Sequence, residues 1–135
     1  MARTLRLVLV TPEKTLLDEP VDALRFPLYD GQFGVLPGRS PVVGRLGFGE
    51  LKITSGAAPP RTFYLDGGFV QITGSVVTLL TNQALLPGEI NVPAAQQQLE
   101  TAVARVATTD ADRQAKDRDV LRARQRLNVA KRGLS

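Results

Sequence analysis

The apolar residues of this chain change their spacing once, near residue 90, and that change limits what the chain can fold into. Before it they recur at every second position. Leu5, Leu7 and Leu9 alternate with Arg6, Val8 and Val10; Leu24, Phe26 and Leu28 alternate with Arg25 and Pro27; Leu51 and Ile53 flank Lys52; Phe63 and Leu65 flank Tyr64; Val77 and Leu79 flank Thr78. A period of two places one set of side chains on one face of a sheet. Turn signals separate the runs: Asp30-Gly31, Pro37-Gly38, Ser55-Gly56, Pro59-Pro60, Asp66-Gly67-Gly68, Gly74-Ser75 and Pro87-Gly88. Eleven of the 12 glycines and eight of the 9 prolines precede residue 92. Short strands so closely punctuated predict a β-sandwich, a flattened barrel of about ten strands, over residues 1–87.

Beyond a linker at residues 88–91 the period lengthens, and Pro93 suits the first turn of a helix. Ala95, Leu99, Ala102 and Val106 recur at steps of three and four, as do Val120, Ala123, Leu127, Ala130 and Leu134. Between the two series, TTDAD at 108–112 breaks the pattern and offers Thr109 or Asp110 as an N-cap, and Gly133 suits a terminator. The spacing predicts an antiparallel two-helix hairpin over 92–133. Its seam is mostly Ala and Val, which bury little area at about 25 cal/mol per Å². A hairpin so lightly packed is marginal alone and must lean on the sheet or on a partner. Permanent docking and a detachable arm both fit that pattern.

Charge is divided in the same way. Residues 1–91 carry 8 basic and 8 acidic side chains, whereas 92–135 carry 9 basic and 5 acidic. The surplus lies on the second helix, in Arg113, Lys116, Arg118, Arg122, Arg124, Arg126, Lys131 and Arg132 against Asp117 and Asp119. This helix is either a solvated face or one suited to an anionic surface. It has no aromatic residue for stacking on bases, and the sandwich's five Phe and two Tyr fall mostly at core-like positions. Its apolar side lacks the bulk of a helix that lies on lipid. An acidic protein surface fits best, because arginine pairs with carboxylates in a partly dry contact.

Chemistry is constrained by absences. With 0 His and 0 Cys there is no triad built on either, no thiolate and no disulfide. A metal site would need oxygen ligands alone, and the carboxylates match no calcium loop. The closest acidic pairs, Asp18-Glu19 and Asp110/Asp112, are read as turn and cap residues. No catalytic residue, metal ligand or cofactor site is assigned. No run of about 18 apolar residues is present to span a membrane, and the N-terminus does not read as a signal peptide. GVLPGRSP at 34–41 only superficially suggests a phosphate loop: the glycines are one residue too close, Arg39 stands in place of lysine, and Pro37 and Pro41 oppose the helix such a loop opens. It is read as a shaped surface turn.

LYDGQFGVLPGRSPVVGRLGFGEL, residues 28–51, resembles the signature stretch of the epsilon subunit of F-type ATP synthases. LVLVTPEKTLLDEPVDALRFP resembles that family's first strands, YLDGGFVQITGSVVTLLTNQA its glycine-pair strand and the following hairpin, and RARQRLNVAKR its final helix. The resemblance implies a β-sandwich followed by two helices and a non-catalytic place in the rotating central stalk. It implies a peripheral location on the cytoplasmic side of a bacterial inner membrane. The implied partners are the gamma subunit, the membrane rotor ring and, when the helices extend, the beta subunits. Ring contacts are implied at Asp30, Gly31, Gln32, Phe33, Arg39, Ser40 and Pro41, with Arg39 in place of a usual histidine and Gln32 at a position that is often acidic. A brake on ATP hydrolysis is implied for Arg118, Arg122, Arg124 and Arg126. A nucleotide site found in some relatives is only half matched: Ile90, Arg122 and Arg126 are present, but Asn91 and Ala94 replace an aspartate and an arginine. ATP is therefore not expected as a regulatory ligand. The rival reading is a stand-alone β-sandwich adaptor whose basic hairpin binds nucleic acid or lipid.

Overall fold

In a computed structural model, residues 5–29, 31–35 and 42–133 are described, the side chains of 31–35, 42 and 133 excepted. The strands among them are β1 (Leu5–Val10), β2 (Thr15–Val21), β3 (Ala23–Leu28), β4 (Gly31–Val35), β5 (Val42–Thr54), β6 (Arg61–Thr73), β7 (Val76–Leu80) and β8 (Ala84–Leu85). A 3-10 turn at Pro87–Glu89 leads into α1 (Val92–Ala104) and α2 (Asp110–Gly133). The strands form one sheet in the order β2-β1-β7-β6-β5-β3-β4, with β8 added on β6. β1 and β7 run parallel, and the other described pairs run antiparallel.

The period-two pattern maps onto burial. Leu5, Leu7, Leu9, Leu24, Phe26, Leu51, Ile53, Leu65, Val77 and Leu79 all enter one apolar core. The polar residues between them face outward, as in Arg6 with Asp18 across β1 and β2, 2.7 Å apart. Burying these leucines and their neighbours supplies the main driving force for this layer.

The described strands number eight, fewer than the ten or so suggested by the turn signals. One of those signals lies inside a strand. β5 and β6 are 13 residues each and pair along most of their length. Asp66-Gly67-Gly68 does not turn the chain; it marks where β6 changes partner, from β8 at Tyr64–Leu65 to β7 at Phe69–Thr73. Gly68 has φ +118°, and a Cβ there would lie 1.8 Å from the Leu80 carbonyl oxygen. Only glycine lets the two backbones pass this closely. Asp18 and Glu19 are likewise not in a turn but in β2, where Glu19 pairs with Arg61.

The helices begin on side-chain caps. Asn91 Oδ1 accepts from the Ala94 N–H at 3.0 Å, and Thr109 Oγ1 accepts from the Asp112 N–H at 3.0 Å. Ala95, Ala102, Ala123 and Leu127 are buried at seam positions. Val106, expected on that seam, lies past the end of α1 and is 80% exposed; Leu134 is outside the described residues.

Candidate functional site

The outer face of β5 and β6 receives the hairpin. Cross-strand register sets Phe48 opposite Asp66 and Glu50 opposite Tyr64. Period two then brings all four to the side away from the main core. α2 crosses this face and adds Val129 and Ala130, while Ile90 joins from the linker, so that Tyr64, Ile90, Val129 and Ala130 form a second small cluster edged by Phe48 and Leu85.

Its polar centre is Asp66, whose residue surface is only 6% exposed. Arg122 donates to the carboxylate through two parallel bonds, Nε to Oδ1 and Nη2 to Oδ2, both 2.7 Å. The Tyr64 hydroxyl donates to Oδ1 at 2.9 Å. Arg126 approaches the same oxygen at 3.8 Å, donates to Gln83 Oε1 at 3.2 Å and lies 5.2 Å over the Tyr64 ring. Forked pairing of this kind fixes direction as well as distance.

The backbone presents Asp66 with equal care. Its N–H donates to the Gln83 carbonyl at 3.0 Å and to Thr81 Oγ1 at 3.2 Å, and its carbonyl accepts from Asn82 Nδ2 at 3.1 Å. Thr81 Oγ1 also donates to the Gly67 carbonyl at 2.7 Å. The glycine pair and the 81–83 segment together hold the carboxylate toward α2. Burial, helped by the Asp66 charge, pushes the Tyr64 phenol well above the ordinary tyrosine range. For Arg122, burial works to lower the pKa, but its bonds to Asp66 and that group's charge outweigh it, and the guanidinium is held charged more firmly than usual.

The four helix arginines separate into two sets. Arg122 and Arg126 turn inward to Asp66; Arg118 and Arg124 are exposed, Arg118 reaching Asp119 at 3.3 Å. Farther along α2, Arg132 lies 3.4 Å from Glu50. Ile90 is buried in the docking cluster and Asn91 caps α1, whereas Ala94 and Arg122 line one cleft between the helices. That open cleft is also lined by Gln97, Gln98, Thr101, Arg105 and Asp119. Gly31, Gln32 and Phe33 lie in β4, paired with β3, whereas Asp30, Arg39, Ser40 and Pro41 fall outside the described residues.

A second surface lies on the outer side of β5, β6 and β7. Register places Arg45, Phe69 and Leu80 side by side across these strands, with Val43 two residues from Arg45. Val43 is 80% exposed, Tyr29 69%, Phe69 60% and Leu80 48%, and the Arg45 guanidinium lies 4.5 Å over the Tyr29 ring. Phe69 and Tyr29 thus depart from the core-like positions expected of the aromatics. Sequence reasoning also passed over Asp66, because beside two glycines it read as a turn. The available signal was its place two residues after Tyr64, on the face that the alternation assigns away from the core.

A family profile described as "ATP synthase, Delta/Epsilon chain, beta-sandwich domain" matches residues 4–87. Over 128 residues the chain is 38% identical to the ATP synthase epsilon chain of Rhodopirellula baltica, an alignment covering 95% of this chain and 99% of that one. It is 37% identical over 110 residues to the ATP synthase epsilon chain of Granulibacter bethesdensis, covering 82% and 81% respectively. In fold it is similar to a chain of the Euglena gracilis mitochondrial ATP synthase solved with its c-ring, with TM-score 0.78, 24% identity, and 98% of this chain and 82% of that one covered. A chain of the Tetrahymena thermophila mitochondrial ATP synthase central stalk and c-ring gives TM-score 0.74 at 16% identity, covering 95% and 97%.

Proposed function

The chain belongs to the epsilon-chain family of F-type ATP synthases, and on that premise we propose that it is a non-catalytic central-stalk subunit joining gamma to the membrane rotor ring. The observation that carries this reading is the apolar surface of Val43, Phe69, Leu80 and Tyr29 on an otherwise charge-balanced sandwich. A cluster of this kind, rimmed by polar groups and carrying Arg45, suits a lasting protein contact. The gamma subunit is the partner assigned to it. The segment from Asp30 to Phe33, with Arg39, Ser40 and Pro41, is assigned to the ring, where closely set glycine turns transmit torque without slip.

The hairpin is the regulatory part. α2 carries exposed Arg118 and Arg124 and a total charge suited to an acidic surface on the beta subunits. When the arm leaves the sandwich, Arg122 and Arg126 join that set, and the arm brakes ATP hydrolysis. No helix among the described residues is long and apolar enough to cross a membrane, which accords with a peripheral place on the cytoplasmic side of a bacterial inner membrane.

Co-purification tests the anchoring role. With purified gamma, Phe69→Glu in the full chain is expected to weaken binding at least about 30-fold, as loss of a central aromatic anchor does. Circular dichroism should be unchanged, because the side chain is already exposed. Undiminished gamma binding by that variant would contradict the assignment.

A further inference from the structure

We infer that Asp66 is the catch of the arm: its carboxylate holds α2 on the sandwich through Arg122, and an acidic partner surface releases the arm by taking that arginine in its place. This rests on the reading of the hairpin as a part that leaves the sandwich.

Three observations converge on the one residue. First, the apolar contact between arm and sheet is small. It consists of Val129, Ala130 and Ile90 against Tyr64, Phe48 and Leu85, whereas the main core has no helix residue among its described members. Burial alone therefore holds the arm lightly. Second, the other polar contacts are poor substitutes. Arg132 near Glu50 is 60% exposed, and such pairs contribute little. Arg126 makes a weaker approach to Asp66, and its Nε is buried without a hydrogen-bond partner. Third, the Arg122 pair has two parallel bonds at 2.7 Å to a carboxylate that is nearly buried and already engaged by Tyr64.

A charged catch also behaves differently from an apolar one. Docking strips water from Asp66 and Arg122, and the pairing offsets that desolvation without a large surplus. Removing Arg122 takes from the nearly buried Asp66 its two shortest bonds, and removing Asp66 takes from the half-exposed Arg122 its anchor, so the docked state is sensitive to this pair. A carboxylate on another protein satisfies Arg122 with the same geometry, while water satisfies the vacated Asp66. Exchange of one carboxylate for another therefore needs no intermediate with a bare buried charge.

The experiment is hydrogen exchange by mass spectrometry on the full chain, comparing the parent with Asp66→Asn, Arg122→Gln and the double variant. Amides of α2 are expected to exchange about tenfold faster or more in each single variant, as loss of a nearly buried partner implies. Amides of β5 and β6 should stay within about twofold of the parent, because their core is separate. The double variant should be no faster than the faster single one, since both break the same pair. A polyglutamate peptide added to the parent should speed α2 exchange. Parent-like α2 exchange in Arg122→Gln overturns the inference, and so does acceleration of sheet and helix in step, which means one cooperative unit. An inert polyglutamate peptide overturns the carboxylate-exchange part. Arg122→Gln changes a side chain that is 43% exposed, so it keeps the test decisive if Asp66→Asn fails to fold. These readouts need no assembled complex. If they hold while ATP hydrolysis in the complex does not respond to Asp66→Asn, the braking role fails and the catch stands.

Discussion

Gly68→Ala should unfold the sandwich far more readily than the same substitution at Gly74, although both glycines have positive φ. At Gly68 an added Cβ meets the Leu80 carbonyl oxygen at 1.8 Å and both the Leu80 carbonyl carbon and the Thr81 Cα at 2.8 Å, with φ at +118°. All three contacts are with backbone, so no side-chain rotation relieves them. β6 and β7 must part by more than an ångström, which breaks the ladder bonds beginning at the Phe69–Leu80 pair. Losing two such bonds at about 1 kcal/mol each, with about 1–2 kcal/mol of backbone strain, gives a cost of about 3–4 kcal/mol. At Gly74, φ is +60° and nothing lies within 4 Å, so only the left-handed backbone cost of about 1 kcal/mol applies. The assay is urea unfolding followed by circular dichroism, with free energies extrapolated to water. Equal losses in the two variants would refute the claim that Gly68 is needed for close passage between strands.

Three further outcomes are expected. Deleting residues 92–135 should leave a cooperatively folding sandwich that still binds gamma, because none of the described main-core residues lies on a helix; loss of the unfolding transition would contradict this. Docking should weaken as pH rises above about 10, the ordinary tyrosine value, because the docked Tyr64 phenol titrates higher than a free one. Its contribution is complete below that pH and is lost progressively above it; in a Tyr29→Phe background, the phenolate absorbance should appear late in the full chain and at lower pH once 92–135 is deleted, though still later than for a free tyrosine because Asp66 stays beside it. Neutralising Arg118 and Arg124 together should raise ATP hydrolysis by the assembled complex about two- to tenfold, since both are exposed and neither holds the docked arm; an unchanged rate would count against braking through these charges.

The alternation of Leu5, Leu7 and Leu9 and the heptad steps through Ala123 and Leu127 made the sandwich and the hairpin legible, because each period reports which face is buried. The same periods do not say what covers an outer face. Tyr64 and Asp66 were readable as outward-facing, but the helix that covers them is more than 50 residues away in the chain, and the register of that contact has no local signal. Val129 shows the same limit: it lies off the heptad seam yet is fully buried, because it faces the sheet rather than α1. Glycine was misleading for a related reason. Gly67 and Gly68 resemble a turn, since both turns and close strand crossings demand backbone that lacks a Cβ. The basic surplus of α2 was visible, but not its division into an inward pair that grips Asp66 and an outward pair left for a partner.

The most direct measurement is ATP hydrolysis by the assembled complex with the arm tied down. The chain has 0 cysteines, so Glu50→Cys and Arg132→Cys, which replace an ion pair at 3.4 Å between β5 and α2, can be joined by a short bis-maleimide without side reaction in this subunit. The account predicts that complexes carrying the tied subunit hydrolyse ATP faster than complexes carrying the same variant left unlinked, because the arm no longer reaches its acidic partner. Equal rates in the tied and untied complexes would contradict it.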